Sequence, residues 1–206
     1  MEDVLDLYAQ PYDEVCPQVC FDERTCELRA DVREPLPMQP GQPLRYDTEY
    51  ERRGSCNLFM FFQPPAGWRH TKITDHRKKE DFAECMRELV DVHFPQAQVI
   101  RVVLDNLSTH SPAALYEAFT PAEALRILKK LEFHYTPKHG SWLNMAEIEL
   151  SVLKGQCLDR RIPDMSTMQA EVAAWESDRN HSTRKIVWQF TTADARIKLK
   201  RLYPQN

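Results

Sequence analysis

Gln98-Val99-Ile100-Arg101-Val102-Val103-Leu104-Asp105 is the stretch on which the fold turns. Its β-branched density and length suit a strand buried on both faces, as in a parallel sheet flanked by helices. Asn106-Leu107-Ser108-Thr109-His110-Ser111-Pro112 follows with turn and helix-start chemistry. Asp105 therefore stands at the carboxyl end of a central strand, where open α/β sheets bind their ligands. His110 has, from sequence, no stronger role than a local bond to the Ser108-Thr109 turn.

Working outward, a second acid lies in Val15-Cys16-Pro17-Gln18-Val19-Cys20-Phe21-Asp22-Glu23-Arg24-Thr25, a first strand with Pro17 at its edge or entry. Period two puts Val19 and Phe21 on one face and Cys20 and Asp22 on the other, so that Cys20 packs beneath a carboxylate emerging into a cleft. A third acid comes from Leu131 to Glu147. Here a short alternating strand, Leu131 to Tyr135, runs through a Pro/Gly turn into a helix whose apolar stripe is Leu143, Ala146, Leu150, Leu153 and Cys157. Glu147 and Glu149 flank that stripe on opposite sides, and periodicity does not choose between them.

Each acid has a structural alternative. Asn144 and Glu147 have the spacing of a capping box, Asp22 that of a strand-end turn former, and Asp105 that of an Asx-turn residue. Their joint occurrence on two strands and one helix is the stronger signal.

Elsewhere, Arg33 to Tyr46 is expected to be irregular, since Pro35, Pro37, Pro40, Pro43 and Gly41 forbid regular structure. Ser55 to Gln63 is apolar on both faces and reads as a central strand. Trp68 to Thr74 follows as another strand, Lys79 to His93 as a helix with Phe82, Cys85, Met86, Leu89 and Val90 on one face, and Pro121 to Lys130 as a helical segment.

The chain has 206 residues, enough for one well-buried domain. No apolar run approaches a membrane span, and the acidic start Met1-Glu2-Asp3-Val4-Leu5-Asp6 is unlike a signal peptide, so a cytoplasmic protein with no membrane partner is expected. The 6 cysteines include no C-x-x-C pair and read as reduced core thiols rather than zinc ligands. A net charge of -4 argues against a generic nucleic-acid binder. The charge is uneven, however. Residues 125 to 206 hold 14 Lys+Arg against 9 Asp+Glu, and residues 1 to 124 hold 13 against 22. The basic half ends in Arg196, Lys198, Lys200 and Arg201, either one wall of a DNA path or the solvated face of an amphipathic helix.

Cys20-Phe21-Asp22-Glu23, Val103-Leu104-Asp105-Asn106-Leu107-Ser108-Thr109-His110 and His134-Tyr135-Thr136-Pro137-Lys138-His139-Gly140-Ser141-Trp142-Leu143-Asn144-Met145-Ala146-Glu147 together resemble the catalytic domain of bacterial insertion-sequence transposases of the mariner superfamily. Arg69 to Asp75 and the tail Phe190 to Pro204 extend the similarity over nearly the whole chain. The resemblance implies an α/β fold, a ribonuclease-H-like mixed five-stranded sheet flanked by helices, as a single catalytic domain over 1–206. The family's amino-terminal helix-turn-helix region is absent, and the interval from Asp105 to Glu147 is longer than in animal mariner elements.

The resemblance also assigns the acids. Its two aspartates fall on Asp22 and Asp105, and its final acid, behind an Asn-x-x pattern, falls on Glu147 rather than Glu149. All three are implied to be catalytic and to ligate Mg2+, with Mn2+ able to substitute, Asp22 bridging two metals that Asp105 and Glu147 each complete. The reaction implied is DNA strand cleavage and strand transfer at transposon ends. Its partners are DNA, as transposon ends and target, and further copies of the chain in a synaptic complex. Asn106 and Asn144 are expected to orient ligands or backbone; Lys138 and His139, with Arg196, Lys198, Lys200 and Arg201, are candidates for DNA contact. His139 has the alternative of stabilising its own turn, and Trp142 is expected to be a core anchor. The alternative functions are a catalytically incompetent or regulatory fragment that binds a partner transposase, and a metal-dependent hydrolase of other phosphate esters.

Overall fold

The computed structural model describes residues 1–203, and Pro204, which closes the tail motif, lies outside them. Five strands form one sheet in the order β3-β2-β1-β4-β5. β1 (Gln18–Asp31), β2 (Tyr50–Gln63) and β3 (Trp68–Thr74) make an antiparallel meander. β4 (Ile100–Leu104) lies parallel to β1, and β5 (Leu131–Tyr135) parallel to β4. This is the mixed α/β sheet expected.

The period-two reading of β1 and β2 holds on both faces. Cys20, Leu58, Met60, Phe62 and Val103 pack with residues of α5 (Met145–Leu153) and α6 (Met165–His181). Val19, Phe21, Phe59, Phe61, Val102 and Leu104 pack on the other side with α2 (Lys79–Glu88), α3 (Pro112–Ala118) and α4 (Pro121–Leu128). β2 is apolar on alternate and intervening positions because helices cover both faces of an internal strand. Its first half is exposed and pairs with the far end of β1, which runs on to Asp31 beyond the Thr25 expected, past a register shift between Glu27 and Arg29.

The helix read from Lys79 to His93 is α-helical to Glu88 and π-helical over Leu89–His93. Its apolar face is buried as expected. α5 likewise passes into a π-helical segment, Lys154–Leu158, and buries Leu143, Ala146, Leu150, Leu153 and Cys157. Residues 33–46 form no regular strand and carry two isolated bridges, Leu36 with Arg45 and Gln39 with Gln42. The six cysteines are free thiols, five of them buried. α1 (Glu2–Tyr8) meets α7 (Thr192–Lys198), where Arg196 grips Glu2 through two contacts of 2.8 Å. Among the described residues no helix is long and apolar enough to cross a membrane.

Candidate active site at the carboxyl end of one strand and beside its parallel neighbour

β1 and β4 pair in parallel with Gln18 opposite Arg101, Val19 opposite Val102 and Cys20 opposite Val103. Asp22 follows Cys20 by two residues within β1 and Asp105 comes directly after the last residue of β4, so the parallel pairing carries both acids toward one region, and the charge of Asp105 is felt at Asp22. The third acid arrives from the helix side. Asn144 caps α5, its Oδ1 accepting from Ala146 N at 3.1 Å. The same fully buried side chain donates through Nδ2 to Phe21 O at 2.8 Å and reaches Asp22 Oδ2 at 3.4 Å. One asparagine thus caps the helix and fastens its first turn to β1 at Phe21 and Asp22.

Glu147 lies in that first turn, half-buried, and its carboxylate has no hydrogen-bond or ion-pair partner among the described residues. It does not close a capping box with Asn144; only its backbone N–H returns, to Asn144 O at 3.1 Å. Glu149, the other candidate, is fully buried between Arg69 and Arg179, at 3.1 and 2.7 Å. The Arg69 contact is an ion pair without hydrogen-bond alignment. Arg69 is itself buried and donates to Arg184 O at 2.7 Å, while Asn180 brackets its backbone. Glu149 is therefore consumed by a structural ion pair that joins α5 to β3 and α6.

The acids are close enough to feel one another. Asp22 is pushed up to about 7, first by burial, against the Glu23 N–H that bonds its Oδ1, and then by the charges of Asp105, Glu147 and Glu23. The three oxygen sets do not gather within 4.8 Å as a group. Two cations about 3.5–4 Å apart require no such gathering, because ligands of different ions stand apart. Oxygen-only donors, an unpartnered glutamate and an aspartate short of positive charge fit a hard divalent cation such as Mg2+.

His110 is a site residue that the sequence did not reveal. Rather than bonding the Ser108-Thr109 turn, it is buried between Asp105 and Glu23, with Nδ1 and Nε2 each 2.6 Å from a carboxylate oxygen. Burial alone would lower its pKa, but the two carboxylates outweigh that and raise it to about 9. His110 is then a doubly donating imidazolium that fixes one oxygen of Asp105. Leu107 N adds a long Asx-turn contact of 3.4 Å to the same oxygen.

The remaining candidates are placed as follows. Asn106 is exposed and bonds none of the three acids. Lys138 and His139 are exposed in the loop before α5, with His139 at φ 62, a left-handed conformation in which histidine is enriched. The expectation that Trp142 anchors the core is corrected. The short 3-10 turn Ser141–Leu143 buries Leu143 and leaves Trp142 42% exposed, packed on Trp188 and Phe190. Of the basic tail, Arg196 is tied to Glu2 and Lys198 lies 3.9 Å from Asp194 and 5.5 Å from the Phe190 ring, while Lys200 and Arg201 are exposed.

A family model described as DDE superfamily endonuclease matches residues 17–169. Two solved structures share the fold. A Mos1 strand transfer complex is 13% identical with a TM-score of 0.55, covering 88% of this chain and 56% of that chain. A Mos1 transposase paired-end complex with left transposon end is 14% identical with a TM-score of 0.55, covering 89% and 58%. The chain therefore spans less than two thirds of the chains it resembles. Likeness at this identity establishes the ribonuclease-H-like fold. No curated protein matches the sequence.

Proposed function

This chain belongs to the DDE superfamily endonuclease family, and we propose that it is the catalytic domain of a transposase that cuts DNA at transposon ends and joins it to a target, using Asp22, Asp105 and Glu147. The observation that supports the reading is the mutual influence of the three acids: the charges of Asp105 and Glu147 both raise the pKa of Asp22, beside the parallel pairing of β1 with β4 and the Asn144 tie from the Glu147 turn to Phe21 O. Endonucleases of this family generally use divalent metal ions. Asp22, Asp105 and Glu147 would hold two Mg2+ ions, with Asp22 between them. Bound there, the ions supply activation of the attacking water or 3'-hydroxyl, stabilisation of the leaving oxygen and neutralisation of the phosphoryl charge.

The chain's own groups do the positioning. His110 holds Asp105 by one oxygen, Oδ1, and leaves Oδ2 without that contact. Asn144 holds β1 at Phe21 against the start of α5 and so helps to set the separation of Asp22 and Glu147. Lys138 and His139 are exposed in the loop that leads into α5, where they can meet backbone phosphates, and Lys198, Lys200 and Arg201 supply further positive charge on the tail. We read residues 1–206 as one catalytic unit whose partners are DNA and further copies of the chain in a synaptic complex.

A nicking assay on supercoiled plasmid with Mg2+ or Mn2+ tests the proposal, with Glu147→Gln as control. The parent protein is expected to nick and the variant to lose about two orders of magnitude or more. Equal activity in both would remove the catalytic assignment.

A further inference from the structure

A second group of ligating side chains lies at the opposite edge of the sheet from β5. His70 of β3, Glu88 at the end of α2 and His93 at the end of the π-helical segment offer ligand atoms that all lie within 4.8 Å of one another. We propose that His70, Glu88 and His93 form a site for a divalent transition ion of the Zn2+ class, separate from the three acids.

The spacing fits that ion. Zn–N and Zn–O bonds of about 2.0–2.1 Å in tetrahedral geometry place ligand atoms about 3.3 Å apart. Glu88 Oε1 lies 3.1 Å from His70 Nε2 and 3.5 Å from His93 Nε2, on either side of that value. His93 Nε2 is buried and makes no hydrogen bond, which leaves a nitrogen lone pair or proton without a partner in a polar pocket. Two imidazoles and one carboxylate suit Zn2+ and its neighbours rather than Mg2+, which prefers oxygen.

The surrounding groups have the form of an outer shell. His70 Nδ1 contacts Glu176 Oε1 at 3.1 Å, a carboxylate–histidine pairing that fixes the ring with Nε2 toward the site. Glu176 is fixed in turn by Thr71 N at 2.7 Å and Thr71 Oγ1. The other oxygen of Glu88 accepts from Lys72 at 2.8 Å. Phe61 and Trp68 stack near both imidazoles and supply apolar walls.

The π-helical segment explains why Glu88 and His93 converge. In an α-helix residues five apart diverge by about 140° around the axis. The π pattern, with Phe94 N donating to Leu89 O at 3.0 Å, brings positions five apart to one side. An occupied site would join β3 to α2 directly, and through Glu176 to α6.

The test is Zn2+ titration of the chelator-stripped full chain by calorimetry and thermal melting, on an Asp105→Asn/Glu147→Gln background so that the acid site does not report. One equivalent of Zn2+ should bind and raise the melting temperature, and Co2+ should give the intense ligand-field absorption of a four-coordinate ion. His93→Gln should abolish both signals, and Glu176→Gln should weaken binding by about 10–100-fold. Should His93→Gln fail to fold, Glu176→Gln alone decides, since it leaves all three ligands in place. Absence of Zn2+ binding in the parent background, or undiminished binding in either variant, would overturn the proposal.

Discussion

Glu147 and Glu149 are two residues apart, yet they differ in what their carboxylates touch. Glu149 is buried and pairs with buried Arg69 and partly buried Arg179, whereas the Glu147 carboxylate has no hydrogen-bond or ion-pair partner among the described residues. Glu149→Gln is therefore expected to destabilise by about 3–5 kcal/mol, as removal of one member of a buried pair does, and Glu147→Gln to leave the urea midpoint nearly unchanged while nicking is lost. Reversed outcomes would exchange the two roles. Asp22 predicts a pH effect of definite sign. Its pKa is raised from 3.8 to about 7, so between those values the folded state binds more protons than the unfolded state and stability falls as pH rises. In chelator, Asp22→Asn should flatten that fall and stabilise at pH 7 by about 1–2 kcal/mol, a figure discounted for the residual exposure of a carboxyl that is mostly but not fully buried. His110, raised from 6.5 to about 9, stabilises fully below 6.5, and its contribution is lost as pH rises through 9. His110→Gln should remove this later decline, which denaturation curves between pH 6 and 10 would show. Burial is the larger cause of the rise at Asp22, whose direction is also that expected of unpaired carboxylates that repel one another. The role of His110 was not legible in the sequence, because it depends on Glu23 of β1 and on Asp105 beyond β4.

Among the elements, those whose environment is set by local pattern were legible. β3 and β5 begin and end where alternation and turn residues place them, and the stripe of α5 is buried as its spacing requires. The outer half of β1 was not, because Glu27 to Asp31 owe their strand geometry to pairing with β2 rather than to their own composition. α6 was missed because its buried residues Met168, Val172 and Trp175 are sparse among small and polar neighbours. The turn into α5 predicts its own sensitivity. A Cβ on Gly140 would come within 2.6 Å of Pro137 Cγ and 3.0 Å of Pro137 O, so Gly140→Ala must displace the loop. Asn144→Ala removes the cap and the tie to Phe21 O together, a loss of about 1–3 kcal/mol. Both variants should lower strand cleavage more than their melting temperatures alone explain, since each shifts Glu147 relative to Asp22. Cleavage that merely tracks stability would contradict the positioning role of this turn.

For the whole molecule, the fold brings acids 83 and 42 positions apart in sequence within reach of one another's charge by placing two parallel strands side by side and tying one helix start to β1 at Phe21. That leaves three carboxylates with too little positive charge, a deficit that divalent ions relieve. Mg2+ should accordingly raise the melting temperature of the parent protein, and Asp105→Asn should lose most of that gain. The uneven charge has a consequence for DNA. Arg201→Ala should weaken binding about equally across sequences and reduce the salt slope by about 1, while Arg196→Ala should do less because Glu2 already engages that guanidinium. The most direct measurement is anomalous scattering from a crystal soaked in Mn2+. The account predicts two peaks about 3.5–4 Å apart by the carboxyl end of β4 and the adjacent stretch of β1, within bonding distance of Asp22, Asp105 and Glu147. Manganese bound elsewhere with none at these carboxylates, or peaks that Glu147 does not touch, would contradict it.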